Sequence, residues 1–177
     1  PCATRLTGSL NVEAMEKTLS EIIRRHEILR TRFQEVEGKP QQIVDEAGPI
    51  HLRLKNLSHL PEDVRESEAV KLAESEAGQP FNLSEGPLLR LSLIKISESE
   101  HILLLTMHHI ISDGWSMGIM IKEISEHYSM QQSNEKSQEP DLTIQYKDFA
   151  VWSNENKSSD GALASLEYWQ QKLSDVP

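Results

Sequence analysis

The stretch Ile102-Leu103-Leu104-Leu105-Thr106-Met107-His108-His109-Ile110-Ile111-Ser112-Asp113-Gly114-Trp115-Ser116 decides how the rest of this chain is read. Its first half is a short, uncharged, branched-rich apolar run, the mark of a buried strand. The run ends in two histidines. Four residues after the second stands Asp113, followed by Gly114, which permits a sharp turn. A helical pattern comes next, with Met117, Ile121, Ile124 and Tyr128 on its apolar side. The histidines thus sit where a central strand gives way to a loop, a common place for chemistry on a rigid scaffold. Side chains alternate across a strand, so His108 and His109 are expected on opposite sides of it.

The neighbouring segments build outward from that strand. Residues 88–96 read as its hairpin partner across the turn Glu98-Ser99-Glu100. Before them, residues 62–77 form a charged helix opened by Pro61 and stopped at Gly78, and 80–87 a loop. Residues 51–57 alternate as a half-exposed strand. Further upstream, Val12, Met15, Leu19, Ile22, Ile23 and His26 recur at helical spacing, giving an amphipathic helix over 12–26 with Asn11 as its N-cap. A first strand is expected over 2–10. A hairpin of 29–36 and 41–45 turns at Glu37-Gly38-Lys39-Pro40. Downstream, 131–141 is polar and uneven, a mobile loop, and two helices close the chain over 143–156 and 161–174. Trp152 and Trp169 are expected to pack, with Trp152 also a candidate for the wall of a site. The class is α/β, in the mixed α+β sense: a central mixed sheet covered by helices.

Three chemical readings of the histidines compete with a plain structural one. An imidazole titrates near neutral pH, so one of them suits a general base, with Asp113 orienting the loop or a partner cation. Two histidines and Asp113 as metal ligands are awkward, because adjacent strand residues face opposite ways and the single cysteine adds no further soft ligand. Ser112 or Ser116 as a nucleophile lacks the nucleophile-elbow pattern, and near neighbours rarely reach one another as a triad requires. Two hydrogen-bonded histidines at a strand end remain the plain alternative.

Composition narrows the partners. The 177 residues suffice for one domain with a substantial core. A formal charge of −10 argues against nucleic acid and against an anionic membrane surface. No apolar run approaches a membrane span, and the start is no signal peptide. One cysteine, Cys2, excludes an internal disulfide and fits a reducing, cytoplasmic location.

The string His108-His109-Ile110-Ile111-Ser112-Asp113-Gly114 resembles the HHxxxDG core of condensation domains of nonribosomal peptide synthetases, relatives of chloramphenicol acetyltransferase and lipoamide acyltransferases. Three more segments resemble the same family in the same order. Arg25-His26-Glu27-Ile28-Leu29-Arg30-Thr31-Arg32-Phe33 is similar to its RHExLRTxF motif. Gln79-Pro80-Phe81-Asn82-Leu83-Ser84-Glu85-Gly86-Pro87-Leu88-Leu89-Arg90 is similar to its PFDLxxGPLLR stretch. Ile144-Gln145-Tyr146-Lys147-Asp148-Phe149-Ala150-Val151-Trp152 is similar to its IQYxDYAxW motif.

The resemblance implies a chloramphenicol acetyltransferase-like lobe, with residues 1–177 as the N-terminal lobe of such a domain. The family's first motif and C-terminal lobe are expected to lie outside it. It implies that His109 is the catalytic histidine, in a tunnel that substrates enter from opposite ends on phosphopantetheine arms of carrier domains. His108 is implied to be buried and hydrogen-bonded. Asp113 is implied to pair with Arg25, so that Asp113→Ala would act as a folding or loop-shape defect. Arg30 is implied to be structural, and for His26 a helix-end role is expected. Gly114, Trp115 and Ser116 are implied to border the substrate and pantetheine tunnel. Neither a bound cofactor nor a metal is implied. The implied partners are donor and acceptor peptidyl carrier proteins, the C-terminal lobe and neighbouring synthetase domains. The form HHIISDGWSMGIM resembles domains that join an L-donor to an L-acceptor. Alternatives are a lobe of an epimerization domain and a non-catalytic module that docks carrier proteins. The lobe alone is not expected to catalyse condensation.

Overall fold

A computed structural model describes residues 1–133, 140–157 and 159–174. It divides into two compact units, Pro1–Asp141 and Leu142–Pro177.

The first unit is built on a four-stranded sheet in the order β1-β6-β5-β4. Its strands are β1 (Cys2–Thr7), β4 (Arg53–Asn56), β5 (Leu89–Ser97) and β6 (Glu100–Met107). The apolar run that ends at the histidines is β6, flanked antiparallel by β1 and β5. Strand β4 runs parallel to β5, and the crossover between them is α2 (Glu62–Ala77). Leu93, Leu103 and Leu105 face one side of the sheet, where Met15, Leu19 and Ile22 of α1 (Val12–Arg25) and Met120 and Ile124 of α3 (Gly114–Gln132) close the core. Ile94, Ile102 and Leu104 face the other side and meet Ala69 of α2. The continuous run Ile102–Leu105 follows directly: a strand covered by helices on both faces has no solvent side to make polar.

Local chemistry sets most boundaries. Asn11 caps α1, its side chain accepting from the Ala14 amide at 3.0 Å. The expected first strand ends early, at Thr7, because Gly8 takes a left-handed backbone at φ 105°. The hairpin β2 (Thr31–Val36) and β3 (Lys39–Val44) stands apart from the main sheet. Glu37 and Gly38 turn it with φ of 51° and 75°, as a two-residue turn of its hand requires. The expected start of β2 at Leu29 is corrected: Glu27–Arg30 is a single 3-10 turn, which buries Leu29 between α1 and β2. Gly78 ends α2 without a left-handed backbone, at φ −76°.

The second unit holds α4 (Tyr146–Asn156) and α5 (Asp160–Lys172). Within it Trp152 meets the Phe149 ring and Trp169 the Tyr168 ring. Tyr146, Phe149 and Trp152 form a tilted aromatic row along α4, with successive ring centroids 5.8 Å apart. Helix α3 runs on to Gln132, into the segment expected as loop, and the remainder of that loop over 134–139 lies outside the described residues.

Candidate active site

Strand β6 stops at Met107, so the two histidines lie just beyond the sheet. The His108 amide still donates to the Leu88 carbonyl at 3.0 Å, and the Ile111 amide returns to the His108 carbonyl at 3.1 Å. The chain therefore turns at the histidines, and strand alternation does not govern where they point. His108 is half-buried and His109 is exposed. Ile111, 5% exposed, pins the far side of the turn into the core.

Each ring has a defined hydrogen-bonding state. His108 Nδ1 accepts from the Ile110 amide at 3.0 Å. A neutral His108 ring therefore carries its hydrogen on Nε2. His109 is the opposite tautomer. Its Nδ1 bonds to the Ser112 carbonyl, which can only accept, so Nδ1 is the donor and Nε2 of the neutral ring holds the free lone pair.

Asp113 caps α3. Its carboxylate accepts from the Ser116 amide at 2.8 Å, and its own amide donates to Ser116 Oγ at 2.8 Å. This reciprocal box closes two of the amides that a helix start leaves unpaired. The Ser116 amide, and after it the Ser116 hydroxyl, holds the Asp113 carboxyl below the usual carboxylate range, and His109 adds a smaller pull. The expected Asp113–Arg25 pair is corrected: among the described residues the Asp113 carboxylate is held by Ser116. Arg25 Nη1 instead donates to the Pro140 carbonyl at 2.8 Å. The Arg30 guanidinium donates to the Asp45 carbonyl, at the end of the β2–β3 hairpin. The turn thus brings His108, His109, Asp113, Gly114, Trp115 and Ser116 together, and the two arginines work elsewhere.

Gly114 opens α3 and has no left-handed backbone, so the turn does not depend on it; a Cβ there would meet nothing within 4 Å. Trp115 is 81% exposed and Ile119, one turn further along α3, 45% exposed, which leaves an open apolar face beside the cap. Beneath the turn lies a mostly apolar pocket of about 110 Å³, bordered by Met107, Ser112, Ser116, Ile119, His26 and Glu123. His26 keeps the expected helix-end place, its amide bonding to the Ile22 carbonyl. It also bonds Glu123 of α3 through Nε2 at 2.7 Å, a tie between helices that helical spacing in each segment alone does not reveal. Among the described residues no cluster of His, Cys, Asp or Glu has the form of a metal site.

A mixed sheet with helices on both faces is the chloramphenicol acetyltransferase-like fold. Solved structures agree on that fold. The X-domain from teicoplanin biosynthesis superimposes with a TM-score of 0.84 at 28% identity, over 99% of this chain and 38% of that one. The starter condensation domain of rhizomide synthetase RzmA superimposes with a TM-score of 0.88 at 18% identity, over 99% of this chain and 42% of that one. The family model described as "Condensation domain" matches residues 1–177, and the chain belongs to that family. Its relatives include a linear gramicidin synthase of Brevibacillus parabrevis, 42% identical over 98% of this chain, and malpinin synthetase of Mortierella alpina, 39% identical over 100% of it. The chain spans 3% and 2% of those two proteins. No helix among the described residues is long and apolar enough to cross a membrane.

Proposed function

We propose that this chain supplies the catalytic histidine of a condensation domain that forms peptide bonds between carrier-bound substrates. The observation that carries the reading is the hydrogen-bonding state of His109: an exposed ring with Nδ1 committed to the Ser112 carbonyl and Nε2 left to accept. The acceptor's α-amine attacks the carbonyl carbon of the donor thioester. As the C–N bond forms, Nε2 accepts a hydrogen bond from the amine and takes up its proton. The tetrahedral intermediate collapses with cleavage of the C–S bond, and the proton passes to the departing sulfur, giving a free thiol. A neutral amine is already a good nucleophile, so holding it against the carbonyl supplies much of the acceleration and proton uptake the rest.

Gly114, Trp115 and Ser116 border the way in for a phosphopantetheine arm. The open space over Gly114 and the exposure of Trp115 support this. The partners of the reading are donor and acceptor carrier proteins and neighbouring synthetase domains, in the cytoplasm. The string His108–Met120 supports an L-donor and an L-acceptor. Residues 1–177 are read as one lobe of such a domain, and they span 38% to 42% of the solved chains named above.

The test follows amide formation by mass spectrometry, using the full-length protein with donor- and acceptor-loaded carrier proteins. Wild type should yield an extended acceptor thioester, and His109→Ala should lose it by roughly a hundredfold or more, the scale of an acid–base group. Product that persists in the variant overturns the catalytic assignment. Solvent deuterium entering the α-carbon of a bound aminoacyl thioester, with no amide formed, would mark epimerization instead. Carrier binding without either reaction would mark a docking module.

A further inference from the structure

We propose that Arg90 and Phe81 are positioning residues of this site: they hold the ring of His108, and through it the turn that carries His109. Its kinetic half rests on the reading of His109 above; its structural half stands separately.

Arg90 lies in β5, opposite Thr106 of β6. Its guanidinium is gripped from several directions. Nε donates to Glu76 Oε1 at 2.6 Å, Nη2 to the Glu76 and Gln79 carbonyls at 2.9 Å, and Nη1 to the Pro80 carbonyl at 3.3 Å. These carbonyls belong to the last turn of α2 and the chain just beyond it, where a helix leaves acceptors unpaired and favours a cation. Both partners are well shielded, with side chains 17% and 16% exposed. A planar fork bonded this way cannot rotate, and it forms a flat platform. The Phe81 ring lies on it, with Arg90 Cζ 3.8 Å from the ring centroid. Phe81 in turn meets His108 at 89°, with ring centroids 6.0 Å apart.

The column therefore ends on the ring whose Nδ1 accepts from the Ile110 amide. That bond needs the His108 ring in one orientation, and Phe81 stands against it. With the ring set, the backbone on both sides of His109 is set: His108 bonds Leu88 through its amide and Ile111 through its carbonyl. The segment Gln79–Arg90 carries both members of the column. Filling the core would need only apolar bulk at Phe81. Orienting an imidazole needs a flat ring on a fixed platform, and this difference is testable.

Phe81→Leu keeps apolar bulk without the flat ring, and Arg90→Lys keeps the charge without the fork. The measurements are the ring nitrogen resonances of His108, and kcat and KM for amide formation by the full-length protein. Both variants should shift the His108 nitrogens from one tautomer toward an average of two. Both should lower kcat roughly ten- to hundredfold at unchanged KM for either carrier thioester, the scale of a misplaced catalytic group. Phe81→Tyr, which restores the flat ring, should restore both readouts. Unmoved His108 nitrogens in Phe81→Leu overturn the proposal, as do moved nitrogens with kcat at the wild-type value. A wild-type protein that forms no amide sinks the functional reading instead, and the nitrogen resonances still decide the column.

Discussion

The Asp113 carboxylate caps α3 by accepting from the Ser116 amide. Its position after the histidines marks it in the sequence, and the resemblance points to an arginine. The nearer candidate was Ser116, three residues on, whose amide and hydroxyl are local and need no folding to be within reach. A capping carboxylate is replaceable by another good N-cap, whereas one member of a buried ion pair is not. Asp113→Ser and Asp113→Asn should therefore keep the wild-type unfolding midpoint, while Asp113→Ala lowers it. Circular dichroism against urea checks this, and equal losses in all three would restore an ion-pair role. Gly114 makes a second single-residue case. Its backbone is not left-handed and a Cβ there meets nothing, so Gly114→Ala should leave stability unchanged or raise it by up to about 1 kcal/mol. A fall in kcat/KM for the carrier thioesters without loss of stability would then read as close approach of the pantetheine arm. Unchanged kcat/KM would remove Gly114 from the proposed path of the arm.

Strand β6 owes its position to helices on both its faces, and this explains why periodicity could mark it as buried without saying what covers it. Leu103 is 1% exposed and sits under α1 and α3, while Leu104 is 5% exposed and sits under α2. Truncating either removes packing from a closed core, so Leu103→Ala and Leu104→Ala should each cost about 2–5 kcal/mol in urea unfolding. Val70 of α2 is 47% exposed, and Val70→Ala should stay within about 0.5 kcal/mol. A Leu104→Ala variant as mild as Val70→Ala would mean that α2 does not seal that face. The helices themselves were legible because each carries a strong local signal: an asparagine cap on α1 and an apolar stripe on α3. The 3-10 turn of Glu27–Arg30 was not, because Ile28 and Leu29 run into the strand residues that follow and apolar runs this short do not distinguish turn from strand.

His101 couples the fold to pH. It lies in β6 at 5% exposure, opposite Lys95. Burial, and after it the charge of Lys95, holds its pKa below the ordinary histidine value. The unfolded chain then takes up a proton first as pH falls, because its histidine titrates near about 6.5. Stability is whole above that pH and is lost progressively below it. The urea midpoint should drop between about pH 7.5 and about pH 5.5, and His101→Leu should flatten part of that drop. An identical drop in both proteins would assign the pH dependence to other groups.

The sequence by itself determined the class of fold, the order of most elements, and the stretch from His108 to Ser116 as the candidate site. These rest on short-range rules, such as apolar period, turn residues and one dense motif, which operate within a few residues of chain. Tertiary structure decided which tautomer each histidine holds, that Arg25 and Arg30 serve Pro140 and Asp45, that His26 reaches Glu123, and that Arg90 backs Phe81, which stands against His108. The contacts of Arg25, His26 and Phe81 join residues 115, 97 and 27 apart in the chain, and the tautomers depend on how the chain turns once β6 has been clamped between β1 and β5. Spacing along a sequence carries no record of such distances; packing of the two sheet faces creates them.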